Sequence, residues 1–185
     1  MTELSDEEIV NSVQAGDTEA FGELVARFEA KLKRYANKFL NTNHEIDDLV
    51  QDVFIKTYTN IQAFDTNQRF SPWIYRIAHN TFVNELKRKE RAGFGLFAAD
   101  TILPFLPAKE TADGQVLTEE TVAEMDKLIK QLPAKYREVI LLHYYESFSY
   151  QEISDVLQIP TTTVGVRLNR ARTNLRKLYQ QTKPL

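Results

Sequence analysis

The sequence predicts an all-α protein: two small helical domains joined by a flexible linker. Three observations predict it. Six glycines and six prolines in 185 residues are too few for a turn-rich β-sandwich. Apolar residues recur at spacings of three and four through long windows, the period of an amphipathic helix. Five of the twelve glycines and prolines (Gly93, Gly95, Pro104, Pro107 and Gly114) fall within the 23 positions 92 to 114, where that period is interrupted.

The elements follow in order. Ser5 and Glu8 form a capping box, in which the hydroxyl and the carboxylate satisfy each other's free amides, so a short helix starts there and stops at Gly16. Asp17 caps a longer helix with the stripe Phe21, Leu24, Val25, Phe28, Leu32, Tyr35, Ala36, Phe39 and Leu40. A third helix carries Ile46, Leu49, Val50, Val53, Phe54 and Tyr58. A fourth runs from about Ser71-Pro72 to Arg91, with proline in the first turn, where its missing N–H costs nothing. The linker is unusually apolar (Phe94, Leu96, Phe97, Ile102, Leu103, Phe105, Leu106) and is expected to dock rather than stay free. A helix from about Thr118 to Leu132 and another opened by Pro133 precede a final pair. The domain boundaries are set at 1–92, 93–119 and 120–185.

In the final pair, Ser149 and Glu152 form a second capping box ahead of Ile153, Val156 and Leu157. After a break at Gln158-Ile159-Pro160, Thr161 or Thr162 is placed to cap a helix whose inward stripe is Val164, Leu168, Ala171, Leu175 and Leu178. A short helix, a tight turn and a basic helix make the layout of a helix-turn-helix, whose second helix enters the DNA major groove. Thr161, Thr162, Thr163, Val166, Arg167 and Arg170 lie near its start and off the stripe, where side chains reach base edges. Arg172, Arg176 and Lys177 suit phosphates, which position without reading sequence.

Charge supports contact with a polyanion. Residues 156–185 contain no Asp or Glu and carry +6, while the other 155 residues carry −9, giving the net −3. A second basic stretch, Arg69 to Arg91, holds Arg69, Arg76, Lys87, Arg88, Lys89 and Arg91 against Glu85 and Glu90. Two cationic islands in an acidic chain predict two separate contacts with a polyanion.

Other chemistries find little support. The chain has no cysteine, which excludes a disulfide framework, a thiolate zinc site, an iron–sulfur cluster and a cysteine nucleophile. His44, His79 and His143 are scattered without ligand spacing. Glu45, Asp47, Asp48 and Asp52 lack the glycine-bearing loop that completes an oxygen cage. No cofactor and no catalytic residue is expected. The acidic start MTELSDEEIV does not read as a signal peptide, and no apolar run approaches the ~18 residues that span a bilayer, so a cytoplasmic location is expected.

At three stretches the chain resembles a known family, the extracytoplasmic-function (ECF) bacterial sigma factors. These are Asp47-Asp-Leu-Val-Gln-Asp-Val-Phe54, Phe70-Ser-Pro-Trp-Ile-Tyr-Arg-Ile-Ala-His-Asn80, and Leu132-Pro through Glu152-Ile, ending in Arg167-Leu-Asn-Arg-Ala-Arg172. The resemblance implies a sigma region 2, a linker and a region 4. It implies binding to core RNA polymerase through Asp48, Leu49, Gln51, Asp52 and Phe54, with Asp48, Gln51 and Asp52 turned outward. It implies capture of the promoter −10 element by Phe64, Arg69, Phe70, Trp73, Arg76, Asn80, Asn84 and Arg88, where unstacked bases gain stacking and hydrogen bonds. In this scheme the loop Asp65 to Arg69 walls a pocket for a flipped base; Trp73, Ile74 and Ile77 also fit a core role. The −35 element falls to Thr161, Thr162, Thr163, Val166, Arg167, Arg170 and Arg172. The partners implied are core polymerase, promoter DNA and a membrane-tethered anti-sigma factor, with no small-molecule substrate. Two-point attachment predicts weak promoter binding by the free chain; a dimeric helix-turn-helix regulator, the alternative, would bind without polymerase.

The chain departs from this family in three places. Gln158 stands where the family usually has glycine in the turn, which predicts a left-handed residue there. Gly165 and Val166 replace a common Lys and Ser in the recognition helix, and Pro72 replaces a small hydroxyl residue.

Overall fold

The structure, a computed structural model, describes residues 4–40, 46–91 and 119–182. The expected linker lies outside the described residues except for Glu119, as do His44 and Glu45. The described residues form helices without strands, and the chain divides into two compact units.

The first unit holds α1 (Asp6–Gln14), α2 (Phe21–Leu40), α3 (Ile46–Asn60), a 3₁₀ turn (Ile61–Ala63) and α4 (Phe70–Arg91). The expected capping box opens α1: Ser5 N–H donates to Glu8 Oε2 at 2.7 Å and Glu8 N–H to Ser5 Oγ at 3.2 Å. Gly16 ends the segment with φ 108°, a left-handed value that glycine adopts without a Cβ clash. Asp17 Oδ1 accepts from the amides of Glu19 and Ala20, so it caps a turn that leads into α2.

From α2, Leu24, Phe28, Leu32, Tyr35, Ala36, Phe39 and Leu40 are buried as the stripe requires. Leu49, Val50 and Val53 of α3 and Phe70, Ile74, Tyr75, Ala78 and Phe82 of α4 are buried with them, and rings of α2 and α4 pack at Phe28–Phe70, Tyr35–Tyr75 and Tyr35–Phe82. Tyr58 departs from its expected place in the core. It is 42% exposed, its ring set edge-on to Phe21 at 5.1 Å, because the core-facing place in that turn is taken by the fully buried Thr57.

The second unit holds α5 (Glu119–Gln131), α6 (Ala134–Ile140), a π-turn (Leu141–Tyr145), α7 (Tyr150–Leu157) and α8 (Thr161–Thr182). Pro133 precedes α6 in extended conformation (φ −51°, ψ 143°), as its fixed φ and missing N–H favour. The Ser149–Glu152 capping box forms at 2.8 and 3.2 Å. Val164, Leu168 and Ala171 of α8 are buried, whereas Leu175 and Leu178 are half-buried. The start of α8 differs from expectation. Its first amides, Thr163 and Val164, donate to the Pro160 carbonyl at 2.9 and 3.1 Å, and Thr161 and Thr162 already lie within the helix. A residue with helical φ and ψ cannot serve as the extended cap.

Gln158 has φ 55°, the left-handed turn expected from the missing glycine. Its Nε2 donates to the Asp155 carbonyl at 2.7 Å, which helps an amide side chain tolerate this conformation. Ser147, with φ 57°, is a second left-handed position that the sequence reading missed. Left-handed backbone costs a residue with a Cβ about 1–2 kcal/mol, partly offset in a Gly variant by the entropy of its unfolded chain. Ser147→Gly and Gln158→Gly are each expected to stabilise the second unit by roughly 0.5–1 kcal/mol, measured as a shift in urea midpoint at unchanged slope.

Candidate nucleic-acid interface

In the first unit the expected DNA-facing residues separate into a core and a surface. Phe70 is fully buried and Phe64 is 7% exposed. Phe70 meets Phe28 edge-on at 5.4 Å and Phe64 at 5.6 Å, and Phe64 lies 5.0 Å from the half-buried Trp73. Phe64 and Phe70, expected to meet DNA, lie in the core, where both rings pack against each other and against Trp73.

The segment between α3 and α4 is held by α1. Gln14 Nε2 donates to the carbonyls of Ile61 and Phe64 at 2.7 and 2.9 Å. Glu7 Oε1 accepts from the Phe70 amide at 2.8 Å, satisfying a free N–H at the start of α4. Within the loop, Asp65 Oδ1 accepts from the backbone amide and the side chain of Asn67 at 3.0 and 2.8 Å. The Asn67 amide holds the Asp65 carboxyl below its ordinary value.

Four expected residues do converge. Trp73, Arg76, Asn80 and Asn84 line one cleft of about 450 Å³, joined by Lys56 and Asn60 of α3 and by Thr81. Its lining holds two cations, three asparagines and an indole, and no carboxylate. Lys56 and Asn60 were missed from sequence. Lys56 is the one base in the acidic α3, a signal that was available, and its Nζ donates to Thr81 Oγ1 at 3.1 Å. Arg69 is exposed on the loop but does not line this cleft. Arg88 lines a second cleft of about 460 Å³ with Asp48, Leu49, Asp52, Lys56, Thr81, Asn84 and Glu85. Its guanidinium is forked onto the buried Glu85 carboxylate at 2.7 and 2.9 Å.

The residues expected to face polymerase divide across α3. Asp48 and Asp52 are exposed on the α4 side, and Gln51 on the α2 side. Leu49 and Phe54, 9% and 8% exposed, are largely committed to the core, unlike their exposed polar neighbours Asp48, Gln51 and Asp52. The α2 side is a groove of about 670 Å³ in which Ile55 and Tyr58 stand 55% and 42% exposed, apolar surface that the sequence reading did not single out. At its edge Lys33 bridges Glu29 and Asp47 at 2.8 and 2.9 Å.

In the second unit, α7, the Gln158 turn and α8 form the helix-turn-helix. Thr162, Val166 and Arg170 are exposed along α8, while Thr161 and Thr163 are half-buried. Two expected DNA-contacting arginines are engaged within the protein. Arg167 Nη1 donates to Glu138 Oε1 of α6 at 2.7 Å, and Arg172 Nε donates to the Tyr144 hydroxyl at 2.7 Å. The ring of Tyr150 covers Gly165, with a ring carbon 3.6 Å from where a Cβ would sit.

A helix-turn-helix in one unit and an amide-rich cationic cleft in the other make the layout of a DNA-binding protein. Comparison with known proteins agrees. Residues 24–92 match Sigma-70 region 2 and residues 123–175 match Sigma-70, region 4. The chain is 37% identical over 176 residues to the ECF RNA polymerase sigma factor SigW of Bacillus subtilis (strain 168), covering 91% of this chain and 93% of the relative. It is 31% identical to the ECF RNA polymerase sigma-E factor of Escherichia coli (strain K12), covering 92% of each. The solved structure of CnrH in complex with the cytosolic domain of CnrY matches with TM-score 0.71 at 26% identity, covering 96% of this chain and 99% of that one. The chain belongs to the ECF group of sigma-70 factors, which bind core RNA polymerase and direct initiation at specific promoters.

Burial pushes the Glu138 carboxyl up to about 7, with Arg167 pulling in the opposite direction. The folded value lies above the ordinary 4.5, so the folded state binds the extra proton. This group's contribution to stability is thus full below about pH 4.5 and is lost as pH rises through about 7. Glu138→Gln, which does not titrate, is expected to flatten the pH dependence of unfolding across that window, measured by urea titration at stepped pH.

Proposed function

We propose that the first unit opens and captures the −10 element while the second reads the −35 element, each active once core polymerase has fixed their spacing. The observation that carries the −10 assignment is the carboxylate-free cleft of Lys56, Asn60, Trp73, Arg76, Asn80 and Asn84. An unstacked base offers a π-face and a hydrogen-bonding edge, and the strand beside it offers phosphates. Indole, amide and guanidinium groups meet these three in turn.

Opening by capture needs no nucleotide hydrolysis, and we assign the protein no catalytic residue. Asp48, Gln51 and Asp52 are the contacts we assign to polymerase, as exposed carboxylates and an amide suited to a basic partner helix. CnrH is solved with the cytosolic domain of CnrY. By analogy we assign this chain an anti-sigma factor, tethered to the membrane, and a cytoplasmic site of action. No helix among the described residues is long and apolar enough to cross a membrane. A dimeric regulator acting without polymerase leaves the first unit's cleft without a role.

Purified core polymerase with this chain is expected to initiate at a restricted set of genomic promoters. Absence of chain-dependent transcripts would overturn the reading. Arg76→Ala and Asn80→Ala are each expected to lower open-complex formation by roughly tenfold, in line with one lost hydrogen bond to a charged partner, with core affinity unchanged. Asp52→Arg is expected to do the reverse, weakening association with core by about tenfold or more through like-charge contact with a basic partner. Competition for core against a second sigma factor measures the latter.

A further inference from the structure

The outer ridge of α8 has one unexpected member. Three residues spaced by four, Thr162, Val166 and Arg170, are exposed opposite the buried Val164, Leu168 and Ala171. Both flanks of this ridge are occupied from within the protein. On one side Arg167, only a quarter exposed, is bonded to Glu138. On the other, Gly165 adds no side chain and lies under the Tyr150 ring, and Arg172 is bonded to Tyr144. Arg170 makes no hydrogen bond or ion pair among the described residues and is available to DNA. Near the start of a helix with no acidic residue, Val166 is 45% exposed.

We propose that Val166 is a specificity-determining residue that reads the C5-methyl group of a thymine in the −35 element, beside a guanine taken by Arg170. This rests on the assignment of α8 as the −35 reader. A valine offers neither donor nor acceptor, and thymine alone among the four bases presents a methyl group in the major groove. Arginine takes guanine O6 and N7 bidentately. Four residues of helix advance about 6 Å, and stacked bases rise about 3.4 Å. The thymine therefore stands about two base steps from the guanine. With both flanks filled, the 45% exposed isopropyl group of Val166 stands open to a base edge on its outer side. Arg167, although basic and next in sequence, is held by Glu138 and leaves the position to Val166.

The test uses holoenzyme assembled from core polymerase and the full chain, on a promoter library randomised at −35 with a fixed −10 element. The wild-type protein is expected to select a thymine about two steps from a preferred guanine. Replacing that thymine by deoxyuridine removes only the methyl, and is expected to lower promoter occupancy by about fourfold, the effect of one buried methyl group. Val166→Ser, at an exposed position that leaves the fold intact, should lose the same factor on the thymine promoter and be indifferent to deoxyuridine. Arg170→Ala should instead lose the guanine preference. Equal occupancy of thymine and deoxyuridine promoters by the wild type, or an unchanged thymine preference in Val166→Ser, overturns this inference and leaves the −35 assignment standing. Transcription indifferent to the whole −35 sequence overturns both.

Discussion

The burial of Phe70 is the constraint on which the first unit's surface depends. A fully buried ring between Phe28 and Phe64 fixes where α4 begins, and Glu7 closes that start by accepting its first free amide. From this fixed origin the helical period sets Trp73, Arg76, Asn80 and Asn84 along one face, three or four residues apart. The aromatics nearest the cleft thus divide the work: two are sealed in the core and the third is left half-buried above them. A cleft that must hold an unstacked base gains from such backing, since a wall already packed loses little side-chain freedom when the base arrives.

The second unit uses a charged pair where the first uses rings. Glu138 is carried into the interior at the end of α6 and holds Arg167 across 29 residues of sequence. Taking a carboxylate out of water is unfavourable, and the pair does not make the unit more stable than an apolar replacement would. It ties α8 to α6: Arg167 reaches back from early α8 and reinforces a face already set by the buried Val164, Leu168 and Ala171. Tyr145, donating to Asp126 at 2.7 Å, ties the π-turn back to α5 and holds the other end of the same scaffold.

Much of this was legible in the sequence, for identifiable reasons. Capping boxes at Ser5 and Ser149, the stop at Gly16, and the core faces of α2 and α8 follow from local hydrogen bonding and helical period alone. The strained turn at Gln158 was legible through the family resemblance, since the family usually has glycine there and the backbone turns left whatever residue occupies it. Less legible was how a residue type divides between core and surface. Phe64, Phe70 and Trp73 share a chemistry, and only the packing of α1 and α2 against α4 determines which is exposed. The commitments of Arg167 and Arg172 were equally hidden, since their partners Glu138 and Tyr144 lie 29 and 28 residues away. Lys56 was the recoverable omission: it is the lone base of an otherwise acidic helix, and it lines the cleft.

The two clefts of the first unit share residues, and this links their electrostatics. Lys56, Thr81 and Asn84 line both, while Asp48, Asp52 and Glu85 border only the second. In the free chain those carboxylates lower the positive potential near Arg88 and, more weakly, near Arg76. A basic surface docked on Asp48 and Asp52, as assigned to polymerase above, neutralises them and excludes water from one side of α3. Both effects strengthen the attraction that Lys56 and Arg76 exert on a phosphate, because the opposing field is removed and the local dielectric falls. Under the proposed assignments, the affinity of the cleft for single-stranded DNA rises on docking, and the acidity of α3 serves both ends: it offers the docking contact and, before docking, opposes the positive field of the neighbouring cleft.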